Sequence, residues 1–129
     1  MSDELGGLGG PRGLAPGEKV PNQLRILAMK ENLGNLLSVH RAGSRIARLA
    51  LKESRVYLYD KGLVVDNGRG GMGLFRWEQC TVAAKSGSWL VTRADGPKFA
   101  VTKHWTDHQA LGLALERAVA QAHSAESSG

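Results

Sequence analysis

Residues 55–77 read RVYLYDKGLVVDNGRGGMGLFRW, and the order of strand-like and turn-like residues within them decides the fold. Val56 and Leu58 alternate with Tyr57 and Tyr59, the period of two that marks a strand of β-favouring residues. Asp60-Lys61-Gly62 fits a three-residue hairpin loop with Gly62 in the left-handed position. Leu63-Val64-Val65 returns as a second strand, Asn67-Gly68 opens another turn, and Gly73 to Trp77 forms a third strand. Thr81–Ala84, Ser88–Arg93 and Lys98–Lys103 continue the series, the last two joined through Ala94-Asp95-Gly96-Pro97.

One amphipathic helix closes this run. Thr106-Asp107-His108-Gln109 has the form of a capping box. Leu111, Leu115, Ala118 and Ala122 follow as a stripe, widened by Ala114 and Val119, with Arg117 and Gln121 facing away. Such a stripe must be buried, and the open end of the strand assembly is the surface on offer. Upstream, Asn22 after Pro21 suits an N-cap, with Leu24, Leu27, Ala28 and Glu31 at helical spacing and Gly34 as a stop. Residues 36–43, LLSVHRAG, fit a strand or a continued helix. Arg45 to Lys52 alternates like a strand, although its Ala, Leu and Arg content also suits a helix.

Composition bounds the rest. With 129 residues, 42% apolar and 22% charged, the chain suits one globular domain with one core. Residues 1–21 hold six Gly and three Pro and read as a disordered tail, as do residues 124–129, leaving residues 22–123 as the domain. No apolar run approaches the ~20 residues that span a bilayer. The acidic, glycine-rich start is unlike a signal peptide, so a cytoplasmic protein is expected, with peripheral membrane contact compatible. Cys80 stands alone, which excludes an intramolecular disulfide and a cysteine-based metal cluster, and a buried structural thiol is expected. The net charge of +5 is uneven: residues 41–105 carry twelve Lys/Arg against five Asp/Glu, a surplus of +7. A basic strand region attracts nucleic acid, anionic lipid or an acidic protein without choosing among them.

Chemical motifs are sparse. Gly68 to Gly73 matches G-x-G-x-x-G, but a dinucleotide site needs a helix after that loop and here a strand is expected. His104 and His108 are four apart, yet the helix is expected to start between them, and His40 and His123 are isolated. No cofactor or metal is expected. No nucleophile elbow, carboxylate pair or Cys/His constellation can be made out. The candidate binding residues are therefore basic: Arg41, Arg45, Arg48, Lys52, Arg55, Arg69 and Arg76. Strand alternation divides several of them between faces, and a solvated outer face is the plain alternative. Tyr57, Tyr59, Phe75, Trp77, Trp89, Phe99 and Trp105 have core-like spacing and read as packing rather than as a platform for bases.

The hairpin RVYLYDKGLVV (55–65), LFRWEQCTV (74–82), the WLVTRADGPKFAV hairpin (89–101) and the terminal helix resemble bacterial pleckstrin-homology-like (PH-like) domains. They are similar in particular to small proteins of high-GC actinobacteria, and the resemblance covers about residues 45–123. It implies a mainly β, α+β roll of two antiparallel sheets capped by the C-terminal amphipathic helix, with residues 22–44 leaving room for an extra N-terminal helix. Relatives on this fold bind lipid head groups, peptides or proteins. The expected function is thus a non-enzymatic interaction module for a protein or peptide partner or for anionic membrane lipid. A nucleic-acid-binding regulator using the basic strands is the alternative. A small hydrolase would need a deep pocket gathering His40, Asp66 or His104.

Overall fold

The computed structural model describes residues 13, 17, 19–42, 54–66 and 72–128. Helix α1 (Asn22–Lys30) is followed by strands β1 (Leu36–Ala42), β2 (Ser54–Tyr59), β3 (Gly62–Asp66) and β4 (Met72–Arg76). A 3-10 turn (Trp77–Gln79) leads to β5 (Cys80–Lys85), β6 (Ser88–Arg93) and β7 (Lys98–Val101), and helix α2 (His108–Ser128) follows. The strands make two antiparallel sheets, β1-β2-β3-β4 and β5-β6-β7. This is the mainly β arrangement with a closing helix expected above. The helix N-terminal to the strands is present, and residues 36–42 are a strand. The run 45–52, the Asn67-Gly68 turn and most of the tail of residues 1–21 lie outside the described residues.

Pleating gives the first sheet two apolar faces. Val56 and Leu58 of β2, Leu63 of β3 and Phe75 of β4 turn inward to meet Val91, Phe99 and Val101 of the second sheet and Leu111, Leu115 and Val119 of α2. Their neighbours Tyr57, Tyr59 and Val64 turn outward, where Leu24, Leu27 and Ala28 of α1, with Leu33 and Val20, cover them. The α2 stripe is buried as its spacing predicts, with Ala114, Ala118 and Ala122 packed alongside. α2 continues to Ser128, past the end expected at residue 123. No helix among the described residues is long and apolar enough to cross a membrane.

Local expectations fail where a distant partner outcompetes a near one. The β2–β3 turn is Asp60-Lys61 alone: Gly62 already pairs with Arg76 in the sheet, and none of the three residues has a positive φ. Gly62 answers a different need, because a Cβ there would meet the Phe75 carbonyl oxygen at 2.5 Å. Asp60 is drawn to the α1–β1 connection, where its Oδ2 accepts the Asn35 N–H at 2.6 Å and its own N–H donates to the Asn35 carbonyl. Thr106 forms no capping box. Its hydroxyl accepts the Arg41 backbone N–H at 3.0 Å, and α2 starts only at His108, after Asp107 at φ 52°. Asn22 lies inside α1, whose cap residue is Pro21 and whose last helical residue is Lys30. Two hairpin turns are conformationally strict: Ser86 (φ 52°) and Gly87 (φ 81°) make a turn of the primed type, and Gly96 (φ 119°) closes β6–β7.

Tyr57 adds one loose end. It is 1% exposed beneath α1, and among the described residues its hydroxyl has no hydrogen-bond partner. A desolvated, unpaired hydroxyl costs about 1–3 kcal/mol. Tyr57→Phe is therefore expected to leave stability unchanged or raise it by about 1 kcal/mol in urea unfolding. A loss of that size would show instead that the hydroxyl is bonded through water.

Candidate functional site

A sheet edge can take up another strand only if its backbone groups are unspent. β1 is an edge of the first sheet, yet the segment after β7 closes it. The Thr106 N–H donates to the Arg41 carbonyl at 2.8 Å, the Thr106 hydroxyl takes the Arg41 N–H, and Ala42 bridges to Trp105. Gly13 also lies against the Val39 carbonyl, closely enough to exclude any side chain at that position. β4, the other edge, is blunted by Arg93, whose Nη1 donates to the Leu74 carbonyl at 2.6 Å. β7 spans only Lys98–Val101, directly behind Pro97.

β5 differs from all three. It pairs with β6 from Cys80↔Arg93 to Lys85↔Ser88 and, among the described residues, with no other strand. Thr81, Ala83, Ala84 and Lys85 are exposed, and α2 packs beside the strand. Only Lys85 among these residues is charged, so little protects this edge against pairing. Just before β5, Trp77 and Glu78 help to line a cleft of about 550 Å³ between α2 and the β2–β3 turn. Leu37, 52% exposed, forms one wall, and Ala114, Ala118 and Ala122 form another. A second cleft of about 490 Å³ lies between β4 and the β6–β7 hairpin.

Arg93 organises that second cleft. Its Nε and Nη2 donate to both Asp95 carboxylate oxygens, and its guanidinium lies 5.6 Å from the Phe75 ring centre. The hydrogen bonds to Arg93 hold the Asp95 carboxyl below its ordinary value, and the same bonds raise Arg93. The Asp95 pair thus fixes the guanidinium within its own hairpin, and the Nη1 bond to Leu74 joins the two sheets.

Among the described residues, the basic candidates Arg41, Arg55 and Arg76 do not gather into one patch. Arg41 and Arg55 face each other across β1 and β2, and Arg55 is also in register with Asp66 of β3. Arg41 Nη1 donates to the Gly13 carbonyl at 2.7 Å. Arg76 is on the opposite edge strand and at the opposite end, paired with Gly62, and holds the Glu31 carboxylate at 2.9 Å. Arg45, Arg48, Lys52 and Arg69 lie outside the described residues. The seven aromatic residues are all buried, as core spacing predicts.

The remaining histidines and the cysteine among the described residues are placed as follows. His40, 6% exposed, donates from Nδ1 to the Thr106 carbonyl at 3.3 Å, leaving Nε2 to accept from the Ser38 hydroxyl at 3.1 Å. It shares a sheet face with Val56 and Val65, whereas Asp66 points the other way and His104 sits in an exposed turn. These three do not converge. α2 begins at His108, so His104 and His108 share no helical face. Met72 and Gly73 at the end of the glycine-rich run open a strand. Burial pushes the Cys80 thiol up to about 11, against a smaller opposing influence of Arg93. At about pH 8 a thiol-specific reagent should therefore modify native Cys80 roughly a hundredfold more slowly than the urea-unfolded chain; equal rates would place the thiol at the surface.

A strand-adding sheet edge is an expectation the sequence supports, but which strand provides it is not legible, because edge status depends on sheet order, which a strand pattern does not carry. The one local sign was four successive uncharged residues, Thr81 to Ala84. No family model matches this chain, and no curated protein or solved structure matches it either.

Proposed function

We propose that the chain is a non-enzymatic, PH-like interaction module that takes up an extended peptide or partner strand along β5. The observation that carries this reading is the contrast among the four sheet edges. β1 is closed by Thr106 and Trp105, β4 is capped by Arg93 and β7 is short, while β5 keeps its outer edge beside α2. Backbone hydrogen bonds would supply affinity, and the cleft next to Trp77 and Glu78 would receive an apolar side chain of the guest. The arrangement of four strands, three strands and a closing helix is consistent with the PH-like resemblance.

The test is selection of peptides from a random library on the full chain, followed by amide exchange on the complexes. Bound peptides should slow exchange across residues 81–85 and should bind equally at low and physiological salt. Ala83→Lys, which charges the exposed strand without touching the core, should weaken them about tenfold. Peptides that protect another edge, or whose affinity collapses with salt, would sink this reading and favour the basic strands.

A further inference from the structure

The outward face of α1 presents large apolar side chains to water. Ile26 is 63% exposed and Met29 81%, while Leu24, Leu27 and Ala28 of the same helix sit on the first sheet. Helical spacing puts Asn22, Arg25, Ile26, Met29 and Lys30 on one side, and all five are exposed. The helix contains no acidic residue. The nearest one, Glu31, is committed to Arg76. Two cations therefore flank an apolar pair with nothing on the helix to neutralise them.

Charge selects the occupant. A second copy docked here would bring Arg25 and Lys30 of both chains together with no carboxylate on either helix between them. A protein groove would have to bury about 800 Å² per partner to hold firmly, which is far more than one side of a nine-residue helix offers. A lipid surface needs no shaped counterpart, only apolar side chains to enter it and cations to meet its phosphates. We infer that the outward face of α1 is a contact surface for anionic membrane lipid, with Ile26 and Met29 entering the headgroup–acyl boundary and Arg25 and Lys30 at its phosphates. The surface is separate from β5, so a chain held at a membrane would keep its strand edge free.

Co-sedimentation of the full chain with phosphatidylcholine vesicles, with and without phosphatidylserine, tests this. The parent should bind only the phosphatidylserine vesicles, and added salt should release it. Ile26→Ser/Met29→Ser and Arg25→Gln/Lys30→Gln change only exposed side chains, so both should keep the parent's thermal midpoint. Each should lower partitioning about tenfold. A Met29→Cys chain carrying an environment-sensitive dye should shift to the blue on the anionic vesicles alone, since Cys80 is buried and stays unlabelled. Absence of binding by the parent at low salt would overturn the inference. So would binding that survives both double substitutions, or that is lost instead in Arg41→Gln/Arg55→Gln.

Discussion

Gly112→Val should lower the stability of this domain by about 3 kcal/mol, a drop of roughly 15 °C in Tm for a fold of this size. Helix propensity alone says the reverse, because glycine inside a helix costs about 1 kcal/mol relative to alanine. Gly112 sits within α2, and a Cβ there would overlap the six-membered ring of Trp89. That ring cannot swing aside freely. Its Nε1 donates to the Glu116 carboxylate one turn along the helix, and His108 packs on it edge-on at 6.4 Å. The missing side chain is thus the space that β6 uses to close on α2. A double-mutant cycle isolates the cause: Trp89→Leu alone should cost about 2 kcal/mol, yet in the Gly112→Val background it should restore stability. If Gly112→Ala instead raised stability by the helix-propensity amount, the close approach would be refuted.

Gly112 also marks where sequence reasoning stops. A glycine in a helical stripe looks like a weakness until the residue opposite it is known, and that residue lies 23 positions away. Strands β2 to β7 were legible because their signals are local, with alternation in Val56–Tyr59 and Asp95-Gly96 between two β-rich runs. Strand β1 was ambiguous since Leu, Ser, His and Arg express no preference. It becomes a strand through pairing with β2 and the clasp of Thr106 on Arg41. Local spacing suggests a neighbourly task for Gly62, Asp60 and Thr106, and each serves a long-range one. The candidate site suffered most. A count of arginines ignores that Arg76 and Arg41 sit on opposite edges of one sheet, and that Arg93 links the sheets. Burial of α1's inner face was foreshadowed by Leu24, Leu27 and Ala28, but Ile26 and Met29 gained meaning only once the sheet had claimed the other side.

Trp77→Ala should cost about 4 kcal/mol, the larger of the two losses. Trp77 occupies the joint between the sheets, in the 3-10 turn that carries β4 into β5, and its ring is buried in the main core against α2. It is tied at both ends: the backbone N–H donates to the Lys61 carbonyl at 3.1 Å and the indole Nε1 to the Tyr59 carbonyl at 3.2 Å. Trp77→Phe separates the two contributions. It keeps most of the apolar contact but leaves the Tyr59 carbonyl unpaired, for a loss of about 1.5 kcal/mol. A Phe variant as unstable as the Ala variant would assign the loss to the hydrogen bond. The position offers a further check, because Trp77 also lines the cleft beside β5. Truncation to alanine would open that cleft into the core, leaving an indole-shaped space reachable from solvent. Free indole should then raise the Tm of Trp77→Ala in a concentration-dependent way and leave the parent unmoved. Rescue of the alanine variant alone would show that the core closes around the missing ring without collapsing, and that a guest aromatic group can reach the floor of the cleft. Failure of indole to act would mean that α2 settles into the space.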